Sequence, residues 1–356
     1  MRIVQIIDSL EAGGAERMAV NYSNALSEKI KFSGLIATRK EGQLLTQINS
    51  NVSYLFLDKK KTVDFKSIFK LRKYLVSNKI DIIHAHSSSF FIAVLVKLTL
   101  PAIKIFWHDH YGSRIRESRF KNKTLIFLSL FFHSIFVVSH QLKEWNEKNM
   151  LCKRVSFVPN FTTQKNNQKQ ITQLKGRDGK RIVFLANLKN PKNHLLILKS
   201  YFELGLKNSD WSLHLIGKDY LDTYSETLKT FIKSNSLENH IHLYGERNDI
   251  SYILSQGTIG VLSSTEEGFP VTLLEYGLAG LAIVSTNAGY CSEIIKNDIS
   301  GLLFDPRNEL EVKSQLSKIT GNESLRKKVV ENLKQSILKN YSEEEVINKL
   351  MLLYKK

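Results

Sequence analysis

Short apolar runs alternate along the whole chain with segments in which apolar residues recur every three or four positions. Strand-like runs occupy residues 3–7, 53–57, 80–84, 103–107, 135–138 and 155–158, with helical periodicity between them, as over 15–26 and 67–77. Residues 161–180, rich in Gln, Asn, Lys and Thr, break the pattern and predict a linker. The alternation then restarts, with strand-like runs at 182–185, 212–216, 241–244, 259–262, 282–285 and 301–304, and a helical tail over 325–354. Strand–helix alternation predicts a parallel sheet with helices on both faces. Its restart predicts two α/β units in tandem, 1–165 and 166–335, followed by a helical tail over 336–356.

Bulk properties narrow the reading. A chain of 356 residues exceeds one ordinary core, and its 42% hydrophobic content is that of a globular protein. Two cysteines, Cys152 and Cys291, form neither a disulfide framework nor a metal cluster and suit a reducing compartment. The first residues read as a strand, not a signal peptide. The longest apolar run, 125–138, is shorter than the roughly 20 residues needed to cross a bilayer and reads as a buried helix followed by a strand. Charge is uneven: residues 1–165 hold 26 Lys+Arg against 12 Asp+Glu, so 26 − 12 = +14 of the total +17. A basic first half attracts polyanions, whether anionic lipid, a phosphorylated acceptor or nucleic acid, or is a solvated lysine-rich surface. No basic motif interleaved with aromatics and no helix-turn-helix accompanies the charge, so nucleic acid is not expected.

Ligands of open parallel sheets sit beyond the carboxyl ends of strands, and unusual residues collect there. After the first strand come Gly13 and Gly14 before a helix, where free N–H groups favour phosphate. The spacing is not that of a dinucleotide fingerprint. After the fourth predicted strand comes Trp107-His108-Asp109-His110-Tyr111-Gly112, which reads as metal ligands, as a polar site wall or as structure. His84 and His86 form a second pair. They line the same site, or His84 is buried and hydrogen-bonded. Beyond the first strand of the second half lies Asn187-Leu-Lys-Asn-Pro-Lys192, where a lysine can neutralise phosphate. The strongest stretch is Glu267-Gly268-Phe269-Pro270-Val271-Thr272-Leu-Leu-Glu275. Pro270 suits the first turn of a helix whose amino end can meet a diphosphate. A carboxylate at Glu275, within an apolar run, needs a partner such as vicinal hydroxyls.

As a set these residues resemble the retaining glycosyltransferases of family 4, which have the GT-B fold of two Rossmann-like domains facing a cleft. The resemblance spans nearly the whole chain. It rests on Glu267 and Glu275 spaced as Glu-x7-Glu, on Gly13–Glu16, on Val158-Pro-Asn160 and on Ser285–Glu293. It implies that residues 336–356 pack back on the first domain, that Glu275 holds the donor ribose and that Glu267 orients the transferred sugar. It further implies that Lys192, Gly13, Gly14 and the helix start at Val271–Thr272 hold the diphosphate, that Gly268, Phe269 and Pro270 line the donor site, and that Gly245 and Glu246 edge the base. His108 would lie near the anomeric carbon, with His110 and Tyr111 on the acceptor side. Where relatives carry Arg in an Arg-x4-Lys pair, this chain has Asn187. The expected reaction is hexosyl transfer from a nucleotide sugar, with UDP the expected carrier, onto a lipid-linked or saccharide acceptor at the cytoplasmic face of the membrane. No Asp-x-Asp triplet is present, so no metal and no cofactor is expected. Lys59–Lys61 and the basic stretch 114–123 are expected to touch the membrane. An epimerase, a glycogen-type synthase and an inactive sugar-nucleotide-binding subunit are the competing readings.

Overall fold

The first apolar run forms β1 (Arg2–Ser9) and the pattern after it α1 (Gly14–Ser27). The chain continues through β2 (Phe32–Lys40), β3 (Ser53–Phe56), α2 (Phe65–Ser77), β4 (Ile82–His86), α3 (Phe90–Lys97), β5 (Lys104–Asp109), α4 (Lys123–Leu128), β6 (Ser134–Val137), α5 (His140–Asn149) and β7 (Val155–Phe157). After the linker come β8 (Arg181–Leu185), α6 (His194–Glu203), β9 (Ser212–Ile216), α7 (Thr223–Ser234), β10 (Ile241–Gly245), α8 (Ile250–Ser255), β11 (Ile259–Leu262), α9 (Val271–Ala279), β12 (Ala282–Thr286), α10 (Cys291–Ile294) and β13 (Leu302–Phe304). Three helices end the chain, α11 (Glu309–Gly321), α12 (Glu323–Asn340) and α13 (Glu343–Lys355). The structure is a computed structural model and describes residues 1–11, 13–163 and 170–356.

Two units result. Unit 1 comprises Met1–Phe161 and Glu343–Lys356, and unit 2 Thr162–Ser342. The sheet of unit 1 has the order β3-β2-β1-β4-β5-β6-β7, and that of unit 2 β10-β9-β8-β11-β12-β13. Every pairing is parallel. In each unit the chain first works outward to one edge and then crosses to the other side of its first strand. The strand order therefore reverses between β1 and β4, and again between β8 and β11. Loops beyond those strand ends are where such sheets hold ligands.

Packing fixes the second reversal point closely. β8 and β11 share only two register pairs before they diverge. The buried Tyr276 hydroxyl fills the opening: it accepts from Leu185 N at 2.7 Å and lies 3.1 Å from the Val261 carbonyl. Its ring leaves no room for a side chain at Gly260, whose added Cβ would fall 2.5 Å from it. Gly277, the residue after Tyr276, lets α9 lie directly against Leu333 and Ile337 of α12.

Several expectations are corrected. β2, a central strand, was not among the expected runs. β4 starts two residues later than expected, because Ile80 closes the turn after α2 through Ile80 N to Leu75 O, and it runs on to His86. β5 likewise extends to Asp109. His86, His108 and Asp109 are therefore strand residues with buried side chains, not loop residues. The expected linker over 161–180 is narrower. Phe161 is buried against Tyr22 of unit 1, while Thr172 and Leu174 are buried in unit 2, with Asp249 accepting from Ile171 N and Thr172 N. Residues 164–169 of that stretch lie outside the described residues. The tail expected over 336–356 is not one helix: α12 stops at Asn340 in unit 2 and α13 belongs to unit 1.

Candidate active site

The loops after β8 and β11 are sewn together in unit 2. Ser263, at the end of β11, donates to the carbonyls of Lys192 (3.1 Å) and Asn193 (2.9 Å), and Thr265 N donates to the Pro191 carbonyl at 2.9 Å. These bonds bring two residues 75 positions apart into an ion pair, Lys192 Nζ to Glu267 Oε1 at 2.6 Å. The pair is half-enclosed, with side-chain exposures of 26% and 10%. The Glu267 loop is clamped from behind by Gly289. Gly289 has φ +58°, and a Cβ there would lie 1.8 Å from the Glu267 carbonyl oxygen. Tyr290 N donates to the Gly268 carbonyl, and the Tyr290 ring stacks on Phe269 at 5.0 Å. Glu267 also contributes, after burial, to pushing the Cys291 thiol far up, which keeps that thiol un-ionised.

Helix starts differ across the molecule. α2, α5, α7, α11 and α12 each begin with an Asp, Ser or Asn side chain that caps a backbone N–H. α1, α6 and α9, which follow β1, β8 and β11, have no side-chain cap. Their first N–H groups carry the partial positive charge of a helix start. α9 begins at Val271 and Thr272, directly after the Glu267 loop, with Pro270 as its N-cap residue. Glu275 is half-buried one turn inside it. At Gly13 the Glu16 carboxylate lies so close that a Cβ would meet it at 2.1 Å. Gly14 faces open space.

Asn187 holds two loops together. Its side-chain oxygen accepts from Lys218 N at 2.9 Å and so ties the loop after β8 to the loop after β9. Gly245, at the end of β10, has φ +67°, and its carbonyl accepts from Gly217 N. Glu246 follows it, just beyond the edge strand β10.

Unit 1 gathers four imidazoles. Strand register places Gln5 beside His84 and His86 beside His108 on one sheet face, under Tyr22 of α1 and Tyr354 of α13. His84, His86 and His108 are fully buried, and burial holds each well below the ordinary imidazole range. His110, stacked 4.1 Å from His108, is pushed down to about 3 by burial. Nitrogens of His84, His86 and His108 lie within 4.8 Å of one another, close enough to suggest a metal. Two imidazole pairs are instead already hydrogen-bonded, His84 Nε2 to His108 Nδ1 at 3.2 Å and His86 Nδ1 to His110 Nε2 at 2.9 Å. Of the readings open to Asp109, the structural one holds. Asp109 is buried in an ion pair with Arg114 at 2.7 Å and accepts from Asn146 at 3.2 Å, which folds the turn bearing the exposed Tyr111. Arg114 and Lys59, both expected at a basic surface, are therefore corrected: each is buried.

Comparisons with known proteins agree with this architecture. The family described as Glycosyltransferase Family 4 matches residues 12–163, and that described as Glycosyl transferases group 1 matches residues 164–336. The Escherichia coli O-antigen biosynthesis glycosyltransferase WbnH is 26% identical over 343 residues, covering 95% of this chain and 96% of that protein. The Campylobacter jejuni N,N'-diacetylbacillosaminyl-diphospho-undecaprenol alpha-1,3-N-acetylgalactosaminyltransferase is 26% identical, covering 82% of this chain and 81% of its own. Among solved structures, Anabaena HepE in complex with UDP and glucose superposes with a TM-score of 0.82 at 14% identity, covering 100% and 99% of the two chains. A Rickettsia africae glycosyltransferase gives 0.80 at 16% identity, covering 99% and 97%. With both halves matched in order and two parallel sheets of seven and six strands beneath them, the chain belongs to the family 4 glycosyltransferases of the GT-B fold.

Proposed function

We infer that this glycosyltransferase moves a sugar from a nucleoside diphosphate-sugar, UDP-linked in the first instance, to a lipid-linked saccharide with retention of anomeric configuration, as a step of surface-polysaccharide assembly. The observation that carries the donor reading is the Lys192–Glu267 pair at the end of β8 and β11, beside the uncapped start of α9. A cation and helix N–H groups suit the charge that develops on a departing diphosphate, and they supply this without a metal. Glu275, one turn inside α9, suits the ribose hydroxyls, and Gly245 and Glu246 the base. Gly13 and Gly14 suit a phosphate on the side of unit 1. His108, His110 and Tyr111 are assigned to the acceptor side. Asn187, committed to the Lys218 backbone, adds no charge, so Lys192 carries the diphosphate with the helix start. Retention without an enzyme nucleophile needs the leaving phosphate to accept the acceptor's proton on the same face. The relatives named for O-antigen synthesis and for a diphospho-undecaprenol acceptor support the lipid-linked acceptor and the assembly step. The HepE complex supports UDP as carrier.

A panel of nucleotide sugars, assayed for donor hydrolysis and for transfer to undecaprenyl-diphosphate saccharides in EDTA, tests this reading. UDP-sugar turnover that survives EDTA, with the product anomer matching the donor by NMR, is the expected result. Turnover only with added divalent metal, or an inverted product, refutes the corresponding part. Lys192→Ala is expected to raise the donor KM and to lower kcat/KM by about 10²-fold, the loss of one charge-assisted contact to the diphosphate. An unchanged kcat/KM would remove Lys192 from the donor site.

The membrane side of the proposal rests on α2. Its buried stripe is Ile68, Leu71 and Leu75. Its outer face carries a second apolar stripe, Phe65 (70% exposed), Phe69 (65%) and Val76 (52%), flanked by the exposed Lys66, Lys70, Arg72 and Lys73. Exposed aromatics beside lysines fit an anionic bilayer surface. No helix among the described residues is long and apolar enough to cross a membrane. Flotation with phosphatidylglycerol vesicles is expected to carry the protein, and Phe65→Ser with Phe69→Ser to weaken that binding by about 10–100-fold. Equal absence from anionic and neutral vesicles would end the membrane assignment.

A further inference from the structure

Four histidines, a glutamine and a tyrosine on one buried sheet face are costly unless each polar atom is paired, and the pairing fixes where the protons lie. The network has two arms, one ending on Gln5 and the other on Tyr354. In one arm Gln5 Oε1 lies 2.8 Å from His86 Nε2. A carboxamide oxygen only accepts, so His86 carries its proton on Nε2. His86 Nδ1 is then a lone pair, which accepts from His110 Nε2 at 2.9 Å. In the other arm the Tyr354 hydroxyl stands 2.6 Å from His84 Nδ1 across 270 residues of sequence. The Tyr354 hydroxyl is buried, and among the described residues His84 Nδ1 is its one hydrogen-bond partner. The phenol proton therefore goes to His84 Nδ1, leaving His84 protonated on Nε2. That N–H donates to His108 Nδ1 at 3.2 Å. One ring position remains for the His108 proton, Nε2.

Two further facts agree with that ending. Among the described residues His108 Nε2 is buried without a hydrogen-bond partner. The Val158 backbone opposes the effect of burial on the ring and favours its protonation. The reverse polarity would leave the buried Tyr354 proton without an acceptor among the described residues.

We propose that Tyr354 is a positioning residue of this glycosyltransferase: through His84 it fixes His108 as the Nε2–H tautomer, so that the ring offers a hydrogen-bond donor, not a base, to an oxygen of the sugar or acceptor. The catalytic half of this statement rests on the assignment of His108 to the acceptor side, while the tautomer half stands alone. The arrangement also explains why three ring nitrogens lie so close without calling for a metal: His84 and His108 meet as donor and acceptor, and His86 is engaged on both nitrogens.

The test is histidine-labelled NMR on the full chain, reading which ring nitrogen carries the proton, with the His108 signals assigned by their loss in His108→Gln. Wild type is expected to show His108 protonated on Nε2. Tyr354→Phe keeps the buried ring and removes only the hydroxyl. It is expected to convert His84 and His108 to mixed tautomers, and to lower kcat by about 10–100-fold with little change in donor KM. Tautomers unmoved by Tyr354→Phe, or His108 protonated on Nδ1 in wild type, overturn the proposal. So does stoichiometric zinc in the purified protein with metal-bound ring shifts. Full transfer activity in His108→Gln would instead overturn the assignment of His108, whatever the tautomer spectra show.

Discussion

Glu267→Gln is expected to reduce kcat by about 10²–10³-fold, with a smaller change in donor KM and almost none in stability. The substitution keeps the shape of the side chain and removes its charge. Two consequences act together. The transferred sugar loses an anionic acceptor held in place by the Gly289 clamp and the Phe269–Tyr290 stack. Lys192, which sits 2.6 Å from the carboxylate, loses its counter-charge and its fixed position. A preorganised charge that acts mainly on the transition state contributes about 3–4 kcal/mol, which corresponds to the stated loss in kcat. Because the two residues touch, the double variant with Lys192→Ala should cost much less than the product of the single effects. Steady-state kinetics of the three variants decides it. Near-normal turnover by Glu267→Gln, or strict multiplication of the two effects, would show that the pair is an ordinary surface bridge of the kind that contributes little.

Acidification should weaken unit 1 more steeply than an ordinary domain. His84, His86 and His108 are held neutral by burial, and His110 takes up a proton only near pH 3. In the unfolded chain each ring binds a proton below about pH 6.5. Between roughly pH 3 and 6.5 the unfolded state therefore holds more protons than the native state, and stability rises with pH across that window. From pH 6.5 to 5.5 each ring removes about 1 kcal/mol, so the four together remove about 4 kcal/mol. That is a large share of the ~5–15 kcal/mol of a typical domain and corresponds to a fall in melting midpoint of about 8–16 °C. Thermal unfolding followed at both pH values measures it, and His110→Asn should make the pH dependence shallower. A midpoint that stays level from pH 6.5 to 5.5 would mean that the rings are wet or already charged in the native state.

The alternation of apolar runs made two parallel α/β units legible, because a fully buried parallel strand is a continuous apolar segment. β2 escaped notice for a physical reason. Phe32-Ser-Gly-Leu-Ile-Ala-Thr-Arg-Lys40 mixes small and polar residues with only three larger aliphatic or aromatic ones, although its middle is buried from Ser33 to Thr38. Gly34 is required there by the Tyr74 hydroxyl, 2.9 Å from where its Cβ would lie, and no local pattern reports that. The chemistry was legible as residue types after strands, not as contacts. Nothing in the spacing of Lys192 and Glu267 says that they meet; the strand order 8-11 does. The histidines of β4 and β5 could be noticed but not interpreted, because their partner Tyr354 stands at the far end of the chain. Asp109 and Arg114 resemble site residues in sequence because a buried ion pair and a catalytic one use the same side chains.

Unit 1 is made of two stretches of chain separated by the whole of unit 2. Synthesis proceeds from the amino end at about 5–20 residues per second, and 181 residues, Thr162–Ser342, intervene before α13 is made. For roughly 10–40 seconds on the ribosome, by that rate, the imidazole face and Phe106 and Phe136 wait without the Tyr354 ring that packs on them. The second unit, contiguous in sequence, is made in the meantime, its α12 only just before α13. Each new copy of this enzyme therefore passes through a stage in which the imidazole face of unit 1 is open, and that stage is where chaperones would find it.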